Sequence, residues 1–201
     1  MMTETALKRY AYPPTVLNFS PHPLTDEQFE FLCQNHRDLK FELSSKGELI
    51  IVAPTSPESG WRNTKLTSKT DLWSETNGTG IVFDSSTMFT LPNGAKRSPD
   101  VSWMSKAKWD ALSPSERGKF SRVVPDFVIE LRSPSDNTSA LMEKMAEYIQ
   151  NGVLLAWLID PIEHRVYIYR SKGEIEILDE PEKLTGEDVL PGFEFDVRSI
   201  W

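Results

Sequence analysis

An apolar strand that carries acidic side chains occupies residues 125–135, which read Pro125-Asp126-Phe127-Val128-Ile129-Glu130-Leu131-Arg132-Ser133-Pro134-Ser135. Side chains alternate between the two faces of a strand, so one face carries Phe127, Ile129 and Leu131. The other face carries Asp126, Val128, Glu130 and Arg132. We therefore expect one face to pack into a core and the other to be mostly ionic. Because a buried strand has no structural need for acidic side chains, these acids indicate a function.

A second acid lies in another short predicted strand, Ser98-Pro99-Asp100-Val101-Ser102-Trp103. Two acids on adjacent strands, Asp100 and Glu130, form a candidate cation site. Two structural alternatives remain open. Glu130 and Arg132 also fit an ion pair on an exposed edge, and Asp100 fits a turn near the start of a strand.

A helix is predicted from Ser139 to Gln150, with an apolar stripe made of Leu141, Met145, Tyr148 and Ile149. Lys144 falls beside Tyr148 at the edge of this stripe. Its amine is therefore able to lean over the sheet, close to the two acids, although an ordinary lysine that reaches into solvent has the same pattern.

The order Pro-Asp, then Glu-x-Arg on a strand, then a helical Lys resembles the PD-(D/E)XK restriction-endonuclease-like superfamily. Within it, the segments PDFVIELRSPSD, EKMAEYIQNGV, LLAWLIDP and APTSPESG are similar to the Uma-type family of putative restriction endonucleases. The resemblance covers roughly residues 24–196. It implies an α/β (α+β) fold, with a restriction-endonuclease-like core in which helices flank a mixed β-sheet.

The resemblance also implies a magnesium-dependent site that cleaves phosphodiester bonds, with Asp100 and Glu130 as metal ligands. Magnesium binds one or two carboxylates plus waters and substrate oxygens, and manganese is an alternative. The carbonyl of Leu131 is a candidate third ligand. The superfamily's usual lysine position holds Arg132 here, and in this branch the lysine has migrated to the helix, which maps it to Lys144. The choice between these two cations stays open.

Four residues are candidates for binding substrate or supporting the metal ligands, and the first is Arg132, whose guanidinium is able to bind phosphate or stabilise charge. Asp126 lies at the strand entrance and fits a supporting group better than a ligand. Glu48 opens a strand at Glu48–Val52, where it reaches the same site or lies in a solvated hairpin. Ser133 follows the acidic strand, and a serine hydrolase is disfavoured because no histidine lies in a matching context.

Composition predicts a single domain at residues 24–201 behind an extended N-terminal arm at residues 1–23, in which prolines recur. Residues 123–160 read strand, helix, strand, which predicts a parallel crossover within a mixed sheet. The only cysteine, Cys33, is unable to form an intramolecular disulfide and indicates a reducing compartment. No segment approaches the ~20 apolar residues of a membrane span, so we expect a cytoplasmic protein.

The net charge of −8 argues against a protein that coats itself with nucleic acid, but it does not exclude a nuclease. Basic residues concentrate around Asp100 in the middle third of the chain: Lys65, Lys69, Lys96, Arg97, Lys106, Lys108, Arg117, Lys119 and Arg122. They suit either a DNA-facing surface or an ordinary solvated one.

The leading hypothesis is a metal-dependent endonuclease that acts on DNA, and the rival is a non-catalytic nucleic-acid- or protein-binding module that keeps the nuclease fold. We also expect a homodimer, because two-fold symmetry is common and two sites address two strands.

Overall fold

The structure is a computed structural model that describes residues 13–118, 120 and 122–201. Residues 1–12 of the predicted arm lie outside the described residues. The helices are α1 Asp26–Asn35, α2 Pro57–Asn77, α3 Lys106–Ala111, α4 Pro114–Arg117 and α5 Thr138–Gln150, with a 3-10 helix at Val197–Ile200. The strands are β1 Thr15–Asn18, β2 Lys40–Leu43, β3 Glu48–Val52, β4 Gly80–Asp84, β5 Phe89–Thr90, β6 Lys96–Arg97, β7 Val101–Ser105, β8 Phe127–Leu131, β9 Leu155–Asp160, β10 Arg165–Arg170, β11 Glu176–Asp179, β12 Lys183–Thr185 and β13 Glu194–Asp196.

A six-stranded mixed sheet forms the centre of the fold, with the order β11-β10-β9-β8-β7-β4. Strands β8 and β9 are parallel and are joined through α5, while the other neighbours in this sheet are antiparallel. The predicted crossover and the predicted α+β class are both confirmed. Because β7 and β8 are neighbours, with Val101 opposite Ile129, the acids Asp100 and Glu130 come from adjacent strands.

Both faces of β8 are covered by apolar packing. Phe127, Ile129 and Leu131 belong to one core, as their alternation predicts. On the opposite face, Val128 packs in a second core with Met145 and Tyr148 of α5. The amphipathic helix α5 supplies this second apolar layer, and Glu130 is the polar exception within it.

The fold also contains a five-stranded sheet with the order β1-β3-β2-β6-β5. Its β2-β3 hairpin was predicted, and Thr25 caps α1 as the sequence indicates. Alternation in β2 sends Phe41 and Leu43 into a third core with Phe29 of α1. Residues 15–18 of the predicted arm form β1, which pairs with β3 inside this sheet. The boundary at residue 24 stays a prediction.

Helix α2 is capped by Ser56 and ends at Gly78, whose φ of 63° is a left-handed conformation that glycine adopts at little cost. It buries Leu66 in the same core as Phe127, so its first turns are fixed next to the acidic strands. No helix in residues 13–118 or 122–201 is both long and apolar enough to cross a membrane.

Candidate active site

A cleft of about 980 Å³ opens between the β2-β3 hairpin on one side and α5 with residues 133–137 on the other. Alternation explains the hairpin wall, because Lys40 and Glu42 point opposite to the core residues Phe41 and Leu43. Asp100 and Glu130 line the same cleft.

Asp100 is fixed by two donors. Its Oδ2 accepts a hydrogen bond from the Leu131 backbone N–H at 2.8 Å, and its Oδ1 accepts one from Nδ2 of Asn63 in α2 at 3.0 Å. Burial raises the pKa of Asp100, although the Leu131 hydrogen bond and the positive charges of Lys40 and Lys144 work in the opposite direction. Asp100 is therefore a partly buried carboxylate whose two hydrogen bonds do not fully offset the cost of its desolvation.

Glu130 is held by two groups of α5. Its Oε1 accepts a hydrogen bond from the Tyr148 hydroxyl at 2.8 Å and lies 2.8 Å from Nζ of Lys144. Burial raises the pKa of Glu130 to about 7. Lys144 opposes this rise, while the charges of Asp100 and Glu42 add to it. A carboxyl with this pKa changes its charge near neutral pH.

Glu42 on β2 is the site residue that sequence reasoning missed. Its Oε1 accepts hydrogen bonds from Lys144 Nζ and from the Ser98 backbone N–H, both at 3.0 Å, and its Oε2 lies 3.3 Å from Arg97. Burial alone would raise the pKa of Glu42, yet the attraction of Lys144 and Arg97 lowers it to about 2. The available signal was an acid on the non-core face of an amphipathic hairpin strand.

Lys144 bridges Glu42 and Glu130, so it leans over the sheet as the sequence predicts. Burial would lower the pKa of Lys144, but the two carboxylates hold it well above its ordinary value. The ammonium is therefore charged at neutral pH. Asp100, Glu130 and Lys144 are brought together around one cleft, and Glu42 joins them.

Three other predicted residues line the cleft, and of these only Leu131 contacts the cluster. Glu48 accepts a hydrogen bond from the nearby Ser44 hydroxyl at 2.9 Å. Ser133 places its hydroxyl 2.8 Å from that of Ser135. Leu131 is a lining residue whose N–H holds Asp100.

The structure does not bring Arg132 or Asp126 to the cluster. Arg132 follows the end of β8 and pairs with the buried Asp160 of β9 at 2.6 Å, because a buried guanidinium requires a carboxylate partner. Asp126 accepts a hydrogen bond from the Ser105 N–H, pairs with Lys108 at 2.6 Å and lines a separate cavity of about 510 Å³.

The basic residues of the middle third do not form a positive surface around Asp100, because carboxylates neutralise most of those that the structure describes. The ion pairs are Lys96–Asp26, Arg122–Asp26, Lys106–Asp110, Lys108–Asp126 and Arg97–Glu147. Lys119 lies outside the described residues.

Comparison with known proteins gives the family. Residues 26–198 match the family Uma2, described as "Putative restriction endonuclease". The chain belongs to the Uma2 family. A solved structure of a putative nuclease belonging to DUF820 from Anabaena variabilis ATCC 29413 is 20% identical, with a TM-score of 0.74, over 89% of this chain and 97% of that chain. The likeness confirms the predicted nuclease-like fold. No curated protein sequence matches the chain.

The donor set suits a hard cation, the kind expected of this family. Within the described part of the chain, no group of three or more His, Cys, Asp or Glu side chains is arranged to hold a metal. Magnesium, however, is commonly held by one or two carboxylates, with water and substrate in the remaining positions. Asp100 and Glu130 supply such oxygens, and no described residue donates a hydrogen bond to Oε2 of Glu130. The Oδ1 of Asn63 is also buried without a described partner. These residues fit a divalent ion bound through few protein ligands.

Proposed function

We propose that this member of the Uma2 family is a metal-dependent endonuclease that hydrolyses phosphodiester bonds in DNA. The observation that carries the proposal is a pair of carboxylates with raised pKa values, Asp100 and Glu130, which line an open cleft beside the Lys144 ammonium. Their protein partners only partly offset the cost of desolvating them, so a cation that fills the site would stabilise the folded protein.

Asp100 and Glu130 would hold magnesium or manganese, with the Leu131 carbonyl as a third oxygen. When bound, such an ion supplies a water of lowered pKa and withdraws charge from the phosphoryl oxygen. Two further residues would position these groups. Glu42 holds the Lys144 ammonium, and the Tyr148 hydroxyl orients the Glu130 carboxylate.

Lys144 would orient the attacking water and stabilise developing negative charge. An ammonium that is desolvated and fixed by two carboxylates is preorganised for that role. Ser133 and Glu48 remain candidates for contacting substrate, since both line the cleft. For Arg132, the ion pair with Asp160 supports a structural role at the end of β8.

A second candidate, a non-catalytic binding module that keeps the nuclease fold, is favoured by one observation. Arg132 occupies the usual lysine position of the superfamily, and it is bound to Asp160 and does not line the cleft. The rival predicts binding of nucleic acid or protein without turnover.

The test is calorimetric titration of magnesium and manganese, followed by incubation with supercoiled plasmid and labelled oligonucleotides. We expect metal binding and metal-dependent cleavage that Glu130→Gln abolishes. Metal binding without cleavage of any DNA or RNA would favour the binding module. Light scattering in the same buffers would test the proposed homodimer, for which a monomeric mass is the contrary result.

A further inference from the structure

Four basic side chains from the described residues line the cleft, and three of them are already neutralised. Lys144 contacts Glu42 and Glu130, and Arg97 contacts Glu42 and Glu147. Lys46 pairs with Glu143 at 3.2 Å. The fourth is Lys40, whose side chain makes no ion pair or hydrogen bond with any residue that the structure describes.

Lys40 lies close to the acidic cluster without touching it. It opens β2 two residues before Glu42, so both side chains point from the same face of the hairpin into the cleft. Its charge lowers the pKa of both Glu42 and Asp100. The ammonium is therefore within electrostatic reach of the carboxylates, yet its three N–H donors are uncommitted.

We propose that Lys40 forms a phosphate-binding subsite, which contacts the nucleic-acid backbone next to the bond held by Asp100 and Glu130. This inference rests on the proposed function. It adds a positive charge, that of Lys40, which would attract the nucleic-acid backbone to a cleft lined by acids. Lys144 and Arg97 are buried against carboxylates and Lys46 keeps an exposed pair with Glu143, so Lys40 is the lining cation that has no carboxylate partner among the described residues. A compact ammonium on a flexible stem suits such a point contact.

The experiment compares Lys40→Met with Lys46→Met, a matched change of a lining lysine that is paired and mostly exposed. Binding of a fluorescent oligothymidylate is measured by anisotropy without metal, over a series of salt concentrations, and metal-dependent cleavage is measured separately. Loss of one phosphate contact should weaken binding roughly tenfold and reduce the slope of log affinity against log salt by about 0.7. Lys46→Met should change neither quantity by a comparable amount.

The outcomes separate the subsite from the proposed function. A changed salt slope in Lys40→Met, with no cleavage by the unmodified protein, would retain the subsite and refute the nuclease. Normal cleavage, with a salt slope in Lys40→Met equal to that of the unmodified protein, would refute the subsite and retain the nuclease. If Lys40→Met keeps the salt slope of the unmodified protein but loses thermal stability, Lys40 serves to neutralise Glu42 and Asp100, and the proposal is overturned. No binding by the unmodified protein would overturn the subsite.

Discussion

Nζ of Lys144 lies 2.8 Å from Oε1 of Glu130, so the candidate catalytic cation is paired with a candidate metal ligand. The same oxygen accepts the Tyr148 hydroxyl, while no described residue donates a hydrogen bond to Oε2. One carboxylate thus has two different environments on its two oxygens. This arrangement leaves Oε2 for a cation while Oε1 keeps the ammonium in place, which allows both charges to occupy the site together.

Magnesium or manganese should raise the melting temperature of the unmodified protein, because a ligand that binds only the folded state stabilises it. Asp100→Asn should abolish that gain. The metal-free variant should be as stable as the parent or more so, since the change removes a partly buried charge, and the amide of Asn63 is able to turn its unpartnered Oδ1 toward the new amide donor. Thermal unfolding with EDTA and with metal measures both effects. A large loss of stability without metal would instead indicate a structural role for Asp100.

The metal-free protein should lose stability as pH rises from about 4.5 to above 7. Folding raises the pKa of Glu130 from 4.5 to about 7, so the folded state favours the protonated acid. Its contribution is complete below the unfolded pKa and disappears as pH passes through the folded pKa. The total is on the order of a few kcal/mol, at about 1.4 kcal/mol per pKa unit. Urea unfolding across this range measures the slope, which Glu130→Gln should reduce. An unchanged slope in that variant would contradict the assignment.

The sequence predicted those parts of the fold that local pattern determines. Alternation located β8, and the apolar stripe located α5. It did not predict β6 at Lys96–Arg97, because two basic residues carry no strand pattern and both are buried only through ion pairs with distant acids. Pairings of that kind depend on tertiary contacts, which no local window contains.

The same distinction applies to the site. Asp100, Glu130 and Lys144 were predicted as a set, and the structure places them around one cleft. Glu42 was missed because its partners lie far away along the chain, with Lys144 separated from it by 102 residues. Arg132 pairs with Asp160 of the neighbouring strand β9 and not with Glu130 on its own strand, a partner that the local sequence does not reveal.

Arg132→Met should mainly destabilise the protein, with little direct effect on chemistry. Removing the guanidinium leaves Asp160, which is 1% exposed, without its counter-charge. Breaking a buried pair on one side costs about 3–5 kcal/mol. The double change Arg132→Met with Asp160→Asn should recover part of this loss, because an amide oxygen still accepts the N–H groups of Ile162 and Glu163. Urea unfolding of the three proteins tests this, and a stable Arg132→Met variant that fails to bind oligonucleotide would restore a substrate-binding role.

Glu42→Gln should reduce metal-dependent cleavage and stability together, whereas Glu48→Gln should leave stability nearly unchanged. Glu42 holds Lys144, Arg97 and the Ser98 N–H, while Glu48 lines the same cleft but bonds only locally to Ser44. The pKa of Glu42 is lowered to about 2, so the stability from its charge is present above its ordinary pKa of 4.5 and is lost as pH falls toward 2. Cleavage rates and acid unfolding curves of the two variants measure the difference. Equal behaviour of the pair would remove Glu42 from the site.

Lys144→Met should lower metal-dependent cleavage by roughly 10²-fold or more, in line with the loss of a positioned catalytic group. Metal affinity should persist, provided that it is measured above the pKa of Glu130. Without the ammonium, the negative charges of Asp100 and Glu42 raise that pKa further, so a proton competes with the metal near pH 7. Single-turnover cleavage and calorimetry at about pH 8.5 separate the two effects, with Lys46→Met as the exposed, paired control. Arg132 is not placed to replace the lysine, because it pairs with Asp160 and does not line the cleft. If Lys144→Met cleaves normally while a correctly folded Arg132→Met is inactive, the assignment of the migrated lysine is wrong and Arg132 holds the catalytic role.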